Sequence, residues 1–282
     1  MTAPIPVTKP PRWAQRPTLD AVPCDATRLL DRAATYLLAR GEPQAALAPY
    51  ERAYDVRRAR FGANHPDTLT SASNLALNLW YLGEYQRARA LDEDTLTRRR
   101  RILGEDAPDT LTSASQLAHD LFGLGDYSHA RELQDTMLSR QRRILGKDHP
   151  DTLTSASQLG LTLQYLGDYQ QARQVQNDAL ARSRRILGED HPETLISAAQ
   201  LGLVLWSLGD YKQQTRQLQN DTFTRSRRIL GDDHPTTLAA AYVLGLVLWT
   251  LGDYQQARQL QNDTFTRSRR ILGDDQFITL HS

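Results

Sequence analysis

The most constraining feature of this chain is that it repeats itself at an almost fixed interval. A two-residue mark, Leu-Gly or Phe-Gly, recurs at Phe61-Gly62, Leu103-Gly104, Leu145-Gly146, Leu187-Gly188, Leu230-Gly231 and Leu272-Gly273, in steps of 42, 42, 42, 43 and 42 residues. A period of this length belongs to solenoids, repeat arrays and propellers. Inside the period, Asp67–Gly83 reads "DTLTSASNLALNLWYLG". Its apolar residues Leu69, Ala72, Leu75, Ala76, Leu79 and Leu82 return every three or four positions, which is one face of an α-helix. The second half resumes the same spacing through Tyr85, Ala88, Leu91, Leu96 and Ile102. Strand alternation is absent, which excludes a propeller blade, so each unit is a helical hairpin.

Punctuation agrees with this reading. Pro66 in "HPDTL" suits a first helical turn, Asp67 suits its positive end, and Gly83 and Gly104 stop the two helices. The array divides into hairpins at about 25–62, 66–104, 108–146, 150–188, 192–231 and 235–273. Residues 1–24 hold six of the thirteen prolines and are expected to be an irregular arm, onto whose neighbouring helices Trp13 can dock. Residues 274–282 read as the truncated start of a further repeat.

Small residues mark the helix crossings: Ala76, Gly160, Gly202 and Gly245 on first helices, and Ala88, Ala130, Ala172 and Ala257 on second helices. The grid of Leu75-Ala76, Gly83, Tyr85, Ala88 and Leu96, repeated as Leu159-Gly160, Gly167, Tyr169, Ala172 and Ala179, resembles the tetratricopeptide repeat. The long period and the "LGxDHPDTL" linkers are similar to kinesin light chains. They are closer still to the repeat arms of bacterial NB-ARC-type signalling ATPases. The resemblance implies an all-α, right-handed α-solenoid of about six hairpins whose first helices line a concave groove. It does not carry over ATPase activity, because no G-x-x-x-x-G-K-[ST] loop is present.

Charge is unevenly placed. The first helices carry only Asp67, Asp151 and Glu193 in repeats two, four and five, and none in repeat six. By resemblance the groove is therefore neutral. Asn74, Gln116, Gln158 and Gln200 form a column of carboxamides, which offers donors and acceptors to an extended backbone. Trp80, Phe122, Trp206, Trp249 and Tyr242 offer aromatic anchors. Toward the last repeat the column turns apolar, through Val243 and Leu246. The expected function is non-enzymatic binding of a peptide or protein segment. The alternative is a regulatory or self-assembling arm that docks on a separate ATPase or transcription-control protein. The apolar last repeat is expected to be covered by the tail, a partner or a second copy.

Other chemistries find little support. His65, His149, His191 and His234 recur one repeat apart, too far to converge on a metal, and read as helix-start residues. The Arg98–Arg101 run and its counterparts form a basic column, but "GED", "GKD" or "GDD" comes after each within a few residues. Inter-repeat ion pairs are expected there rather than nucleic-acid contacts. Net charge is +1 with one cysteine, Cys24, which excludes a disulfide framework and gives no pull toward nucleic acid or membrane. No catalytic motif, cofactor motif or apolar stretch of spanning length is read, and a cytoplasmic setting is expected.

One repeat departs from the rest. Tyr211 to Arg216 holds one residue more than Tyr254 to Arg258. An extra residue turns the remainder of the helix by about 100° unless it is absorbed. A π-bulge or a loosened first turn within Tyr211–Arg216 is expected, with Thr215 or Gln214 standing where other repeats have alanine.

Overall fold

A computed structural model describes residues 24–210 and 213–277 of the chain. The proposed arm (apart from Cys24), the docking of Trp13, and residues 278–282 lie outside them. The described residues form helices and no strands: α1 (Cys24–Ala39), α2 (Pro43–Phe61), α3 (Pro66–Tyr81), α4 (Tyr85–Leu103), α5 (Pro108–Gly123), α6 (Tyr127–Ile144), α7 (Pro150–Tyr165), α8 (Tyr169–Leu187), α9 (Pro192–Ser207), α10 (Gln213–Leu230), α11 (Pro235–Thr250) and α12 (Tyr254–Phe277). The all-α, hairpin-by-hairpin solenoid that the period predicts is the architecture of this chain. It comprises two compact units, Met1–Leu124 and Gly125–Ser282.

In the first unit α1 packs on α2, α2 on α3, α3 on α4, and α4 on α5, with α3 also touching α5. Ala34, Ala46, Tyr50, Leu75, Ala76, Leu79 and Ala88 form one buried cluster. In the second unit α6 packs on α7, α7 on α8, α8 on α9, α9 on α10, α10 on α11 and α11 on α12. There α7 meets α9, and α9 meets α11. Leu159, Leu163, Ala172, Ala179 and Val204 make a buried cluster of this unit. Helices α3, α7, α9 and α11 thus pack against both their own hairpin and the one before it, because one hairpin cannot enclose an apolar face alone.

The recurring "HP" has a defined task. His65, His149, His191 and His234 are N-cap residues with extended backbone, and each ring Nδ1 accepts the N–H two residues on at 3.2 Å. This satisfies one of the donors a helix start leaves unpaired. The proline after it gives up an N–H that had no partner to lose. Ala107 has the same backbone angles, φ −68° and ψ 140°, but makes no such bond. First helices end through glycines such as Gly83, whose φ of +75° other residues rarely adopt.

From Arg182 onward the arginine column is paired with an acidic one, as its acidic neighbours predict. Arg182 and Arg185 both hold Asp148, at 2.9 and 2.6 Å; Arg225 and Arg228 hold Asp190, both at 2.7 Å; Arg267 and Arg270 hold Asp233, at 3.0 and 2.7 Å. In the first unit Asn64 takes the aspartate's place beneath Arg98 and Arg101. These clasps join the end of one second helix to the linker one repeat earlier.

The glycines at the crossings do more than let two backbones approach. A Cβ on Gly160 would lie 2.5 Å from Gln176 Nε2, and one on Gly202 would lie 1.9 Å from Gln219 Nε2. Gln176 Nε2 donates to the Ser157 carbonyl and Gln219 Nε2 to the Ala198 carbonyl, both at 2.9 Å. The glycine makes room for a buried amide that ties the hairpin together.

The expected bulge or loosened turn of repeat five spans Tyr211–Arg216, and the sequence returns to register at Thr215. Tyr211 and Lys212 lie outside the described residues, and Gln213–Arg216 is regular α-helix. Thr215 is buried as Ala88, Ala130, Ala172 and Ala257 are, and its hydroxyl donates to the Asp210 carbonyl at 2.9 Å. From Thr215 onward the buried positions Gln219, Thr222 and Ser226 are back in register. At the other end α12 continues through Gly273 to Phe277.

Candidate functional site

Along α3, α5, α7 and α9 one stripe of exposed or half-buried residues runs at spacings of four, three and four. On α3 it is Thr70, Asn74, Leu77 and Tyr81; on α5 it is Thr112, Gln116, His119 and Gly123. On α7 it is Thr154, Gln158, Leu161 and Tyr165, and on α9 Ile196, Gln200, Leu203 and Ser207. Eleven residues along an α-helix return to nearly the same face, which is why the stripe stays straight. Asn74 and Gln116 lie on neighbouring helices of the first unit, and Gln158 and Gln200 on neighbouring helices of the second. All four are half-buried.

Two of the carboxamides differ in how they are held. Gln200 Oε1 accepts from Gln176 Nε2 at 3.1 Å. Gln116 Oε1 is buried without a hydrogen-bond partner. Beside them, Ser157 and Ser197 join α7 to α9 through a 2.9 Å hydroxyl pair, and Gln164 donates to Ser207 Oγ at 3.3 Å.

The aromatic residues divide into two groups. Trp80 packs against the core of the first unit, with its ring 5.4 Å from Tyr81 and 5.9 Å from Tyr85. Trp206 is half-buried, and the indole nitrogens of both tryptophans are fully buried without a partner. Phe122 and Tyr242 are half-buried as well. Trp249 is 53% exposed and sits edge-on to Tyr254 at 5.0 Å. Register does not separate the two groups, since Trp249 stands six residues after Val243 as Trp80 stands six after Asn74. A residue six positions after Asn74 is turned about 120° away from it, toward the neighbouring helix, whereas the seventh is back on the same face. Sequence reasoning therefore missed Leu77, Tyr81 and Tyr165, which are 39%, 47% and 55% exposed and share the carboxamides' stripe. The signal was present, since Tyr81 and Tyr165 stand seven residues after Asn74 and Gln158.

A second omission is a pair of buried carboxyls. Asp92 on α4 and Asp120 on α5 are each 2% exposed and hydrogen-bonded to each other. Loss of water raises both above the ordinary carboxylate range, Asp92 to about 9 and Asp120 to about 7; for Asp92 the second cause is the neighbouring Asp120 charge. The pair therefore titrates as a unit and holds a shared proton near neutrality. Asp92 occupies the place of Gln134, Gln176, Gln219 and Gln261 in later second helices. Among the described residues no group of three or more His, Cys, Asp or Glu side chains is arranged to hold a metal ion. No described helix is long and apolar enough to cross a membrane.

Comparison with known proteins places the chain. The tetratricopeptide repeat profile matches residues 25–101, 72–136, 109–184, 151–213 and 213–270. The chain belongs to the tetratricopeptide repeat family. A search of curated proteins by sequence found no match. Among solved structures, the nearly identical repeats of a kinesin light chain-type protein from Podosopora anserina are similar, with 23% identity over 72% of this chain and 96% of that one, and a TM-score of 0.64. BtubC (BKLC) from P. vanneervenii is similar with 19% identity over 82% of this chain and 92% of that one, at a TM-score of 0.65. NprR in complex with its cognate peptide NprX shares 14% identity over 90% of this chain and 69% of that one, at a TM-score of 0.66. At these identities the likeness is one of fold.

Proposed function

We propose that the chain is an interaction scaffold that binds an extended peptide or protein segment along the solvent-facing stripe of its first helices. The observation that carries this reading is the stripe itself. In the first unit it aligns the carboxamides Asn74 and Gln116 with exposed Leu77 and Tyr81; in the second it aligns Gln158 and Gln200 with exposed Tyr165. Amides match the donors and acceptors of a backbone, and the rings and leucine provide contact area for its side chains. NprR, a structure of similar fold, holds a peptide. The half-buried Trp80, Phe122, Trp206 and Tyr242 support the stripe from behind, and Trp249, in the register of Trp80 but exposed, adds contact area beside that face at the last hairpin.

Selection of a random peptide library on the full chain tests the reading. Binding of the selected peptides is then measured by fluorescence anisotropy. The double variant Gln158→Ala/Gln200→Ala and the single variant Tyr165→Ala are each expected to weaken binding about tenfold or more. Unchanged affinity in both variants discards the stripe as the binding surface.

The last hairpin supports a second reading, self-association. Trp249, Tyr254 and Phe265 are 53%, 58% and 48% exposed, a concentration of aromatic surface that favours a protein contact. Light scattering at rising concentration tests it: a strict monomer discards it.

A further inference from the structure

Between α3, α4 and α5 lies a cavity of about 210 Å³. That is smaller than the ~300–1,000 Å³ typical of cofactor and drug-sized ligands. Leu77 and Tyr81, both exposed, form its rim. Trp80 and Gln116 line its wall, and the buried Asp92 and Asp120 close it. The opening therefore lies on the same face as the carboxamide stripe.

Three acceptor atoms in this lining have no hydrogen-bond partner: Asp92 Oδ1, Asp120 Oδ2 and Gln116 Oε1. Buried polar atoms are nearly always paired, and an orphaned carboxylate oxygen is among the costlier exceptions. The architecture does not require this arrangement. Later repeats put glutamine at the Asp92 position, and Gln176 and Gln219 give their N–H groups to carbonyls of their own hairpins. Asp92, when ionised, has no hydrogen to give. Arg99 is the nearby cation on the same helix, but it is engaged by the Ser113 hydroxyl at 2.7 Å and the Asp109 carbonyl at 3.2 Å. The cavity, lined also by His119, whose pKa is lowered by desolvation, thus presents a carboxyl pair that shares one proton, and three unpaired acceptor atoms, under an aromatic and aliphatic rim.

We infer that this cavity is a subsite for a lysine side chain of the bound segment, with the ammonium group received by Asp92, Asp120 and Gln116. An ammonium carries three N–H donors and no acceptor, which matches three orphaned oxygens one for one. A straight butyl stem suits a narrow cavity with Leu77 at its mouth, and the faces of Trp80 and Tyr81 favour a cation passing them. The indole N–H of Trp80, also unpaired, is left for a carbonyl of the segment. The inference rests on the segment-binding reading and adds to it a preference for a basic residue at one position.

The test uses the full chain labelled with carboxyl-¹³C aspartate and titrated with n-butylammonium chloride, with sodium chloride and n-butanol as controls. The Asp92 and Asp120 resonances, assigned through Asp92→Asn and Asp120→Asn, are expected to move with the amine and with neither control. If they move no more than the resonance of exposed Asp67, the subsite is overturned; this wild-type comparison decides even if a variant fails to fold. A second arm uses library-selected peptides with lysine replaced by norleucine. The replacement is expected to weaken binding about tenfold in the native chain and less than threefold in Asp92→Asn. Selected peptides that bind the stripe with no preference for lysine overturn the subsite and leave the segment reading standing. Amine binding by a chain that binds no peptide overturns the segment reading instead.

Discussion

Gly202 and the side chain of Gln219 occupy one space: a Cβ on the glycine would lie 1.9 Å from the amide nitrogen. That amide is fully buried and fixed to the Ala198 carbonyl at 2.9 Å, so it cannot step aside without breaking its bond. Helix propensity alone would make Gly202→Ala stabilising by about 1 kcal/mol. We expect the opposite, a loss of about 1–3 kcal/mol from overpacking, measured by urea denaturation. The clash distance grows to 2.5 Å at Gly160 and 2.8 Å at Gly245, so the cost should fall in the order Gly202, Gly160, Gly245. Shortening the partner in Gly202→Ala/Gln219→Asn should recover part of the loss, as the natural pairing of Ala76 with the shorter Asp92 suggests. Equal stability of all three alanine variants and the native chain would refute the shared-space account.

The carboxyl pair and the arginine clasps should respond to pH in opposite directions. Asp92 and Asp120 have raised values in the folded chain, so between the unfolded value near 4 and their own values the native state binds more protons than the unfolded state. Their contribution is therefore fully present in acid and is lost as pH rises through about 7 to 9. Asp148 and Asp190 are lowered, chiefly by hydrogen bonds from Arg185 and Arg225 respectively. Their contribution is present above the unfolded carboxylate value and lost as pH falls through the lowered one. Asp92→Asn should thus flatten the alkaline fall and raise stability at pH 9 by ~1–3 kcal/mol, the scale of an uncompensated buried polar group. At pH 5 it should change little. Thermal melts across pH 3–9, with and without 1 M salt to screen the clasps, separate the two effects. An unchanged alkaline limb in Asp92→Asn would remove the pair as its cause.

Much of this was legible in the sequence, and the reason is repetition. One hairpin's apolar spacing is ambiguous, but the same spacing in successive copies, stopped each time by glycine, left little room for another fold. The ion-pair column was readable because Arg182 and Arg185 recur in step with Asp148. The features that stayed hidden depended on angle and on partners. Trp80 and Tyr81 are adjacent in sequence, yet one packs into the core and the other faces solvent. The Gly202–Gln219 pairing joins residues seventeen positions apart, and only three-dimensional contact shows that the glycine accommodates an amide rather than a backbone. Asp92 and Asp120 each look like an ordinary surface aspartate until packing buries both together.

Ala107 offers a gain of stability. It stands at an N-cap with the backbone angles of His65 and His149, and the Asp109 N–H lacks the side-chain acceptor that those histidines supply. Ala107→Asn should complete the cap and stabilise the first unit by ~0.5–2 kcal/mol. His149→Ala should cost the second unit a similar amount. Denaturant midpoints of the two variants measure both. No gain in Ala107→Asn together with no loss in His149→Ala would show that the repeated histidine has a task other than capping.

The two groups of aromatic residues should separate binding from stability. Tyr165 and Trp249 are 55% and 53% exposed, so truncating either removes little buried surface. Trp206 is half-buried, with its indole nitrogen wholly enclosed between helices, and truncating it opens a cavity. Trp206→Ala should therefore cost ~3–5 kcal/mol in denaturation, and peptide affinity should fall only as far as the fold loosens. Tyr165→Ala should leave the midpoint within ~0.5 kcal/mol of the native chain while weakening selected peptides about tenfold. The same pair of measurements on Trp249→Ala locates the end of the binding surface: a loss of affinity with an unchanged midpoint extends the stripe to the last hairpin. If Tyr165→Ala instead lowers stability as much as Trp206→Ala does, the exposed stripe is part of the packing and not a surface kept open for a partner.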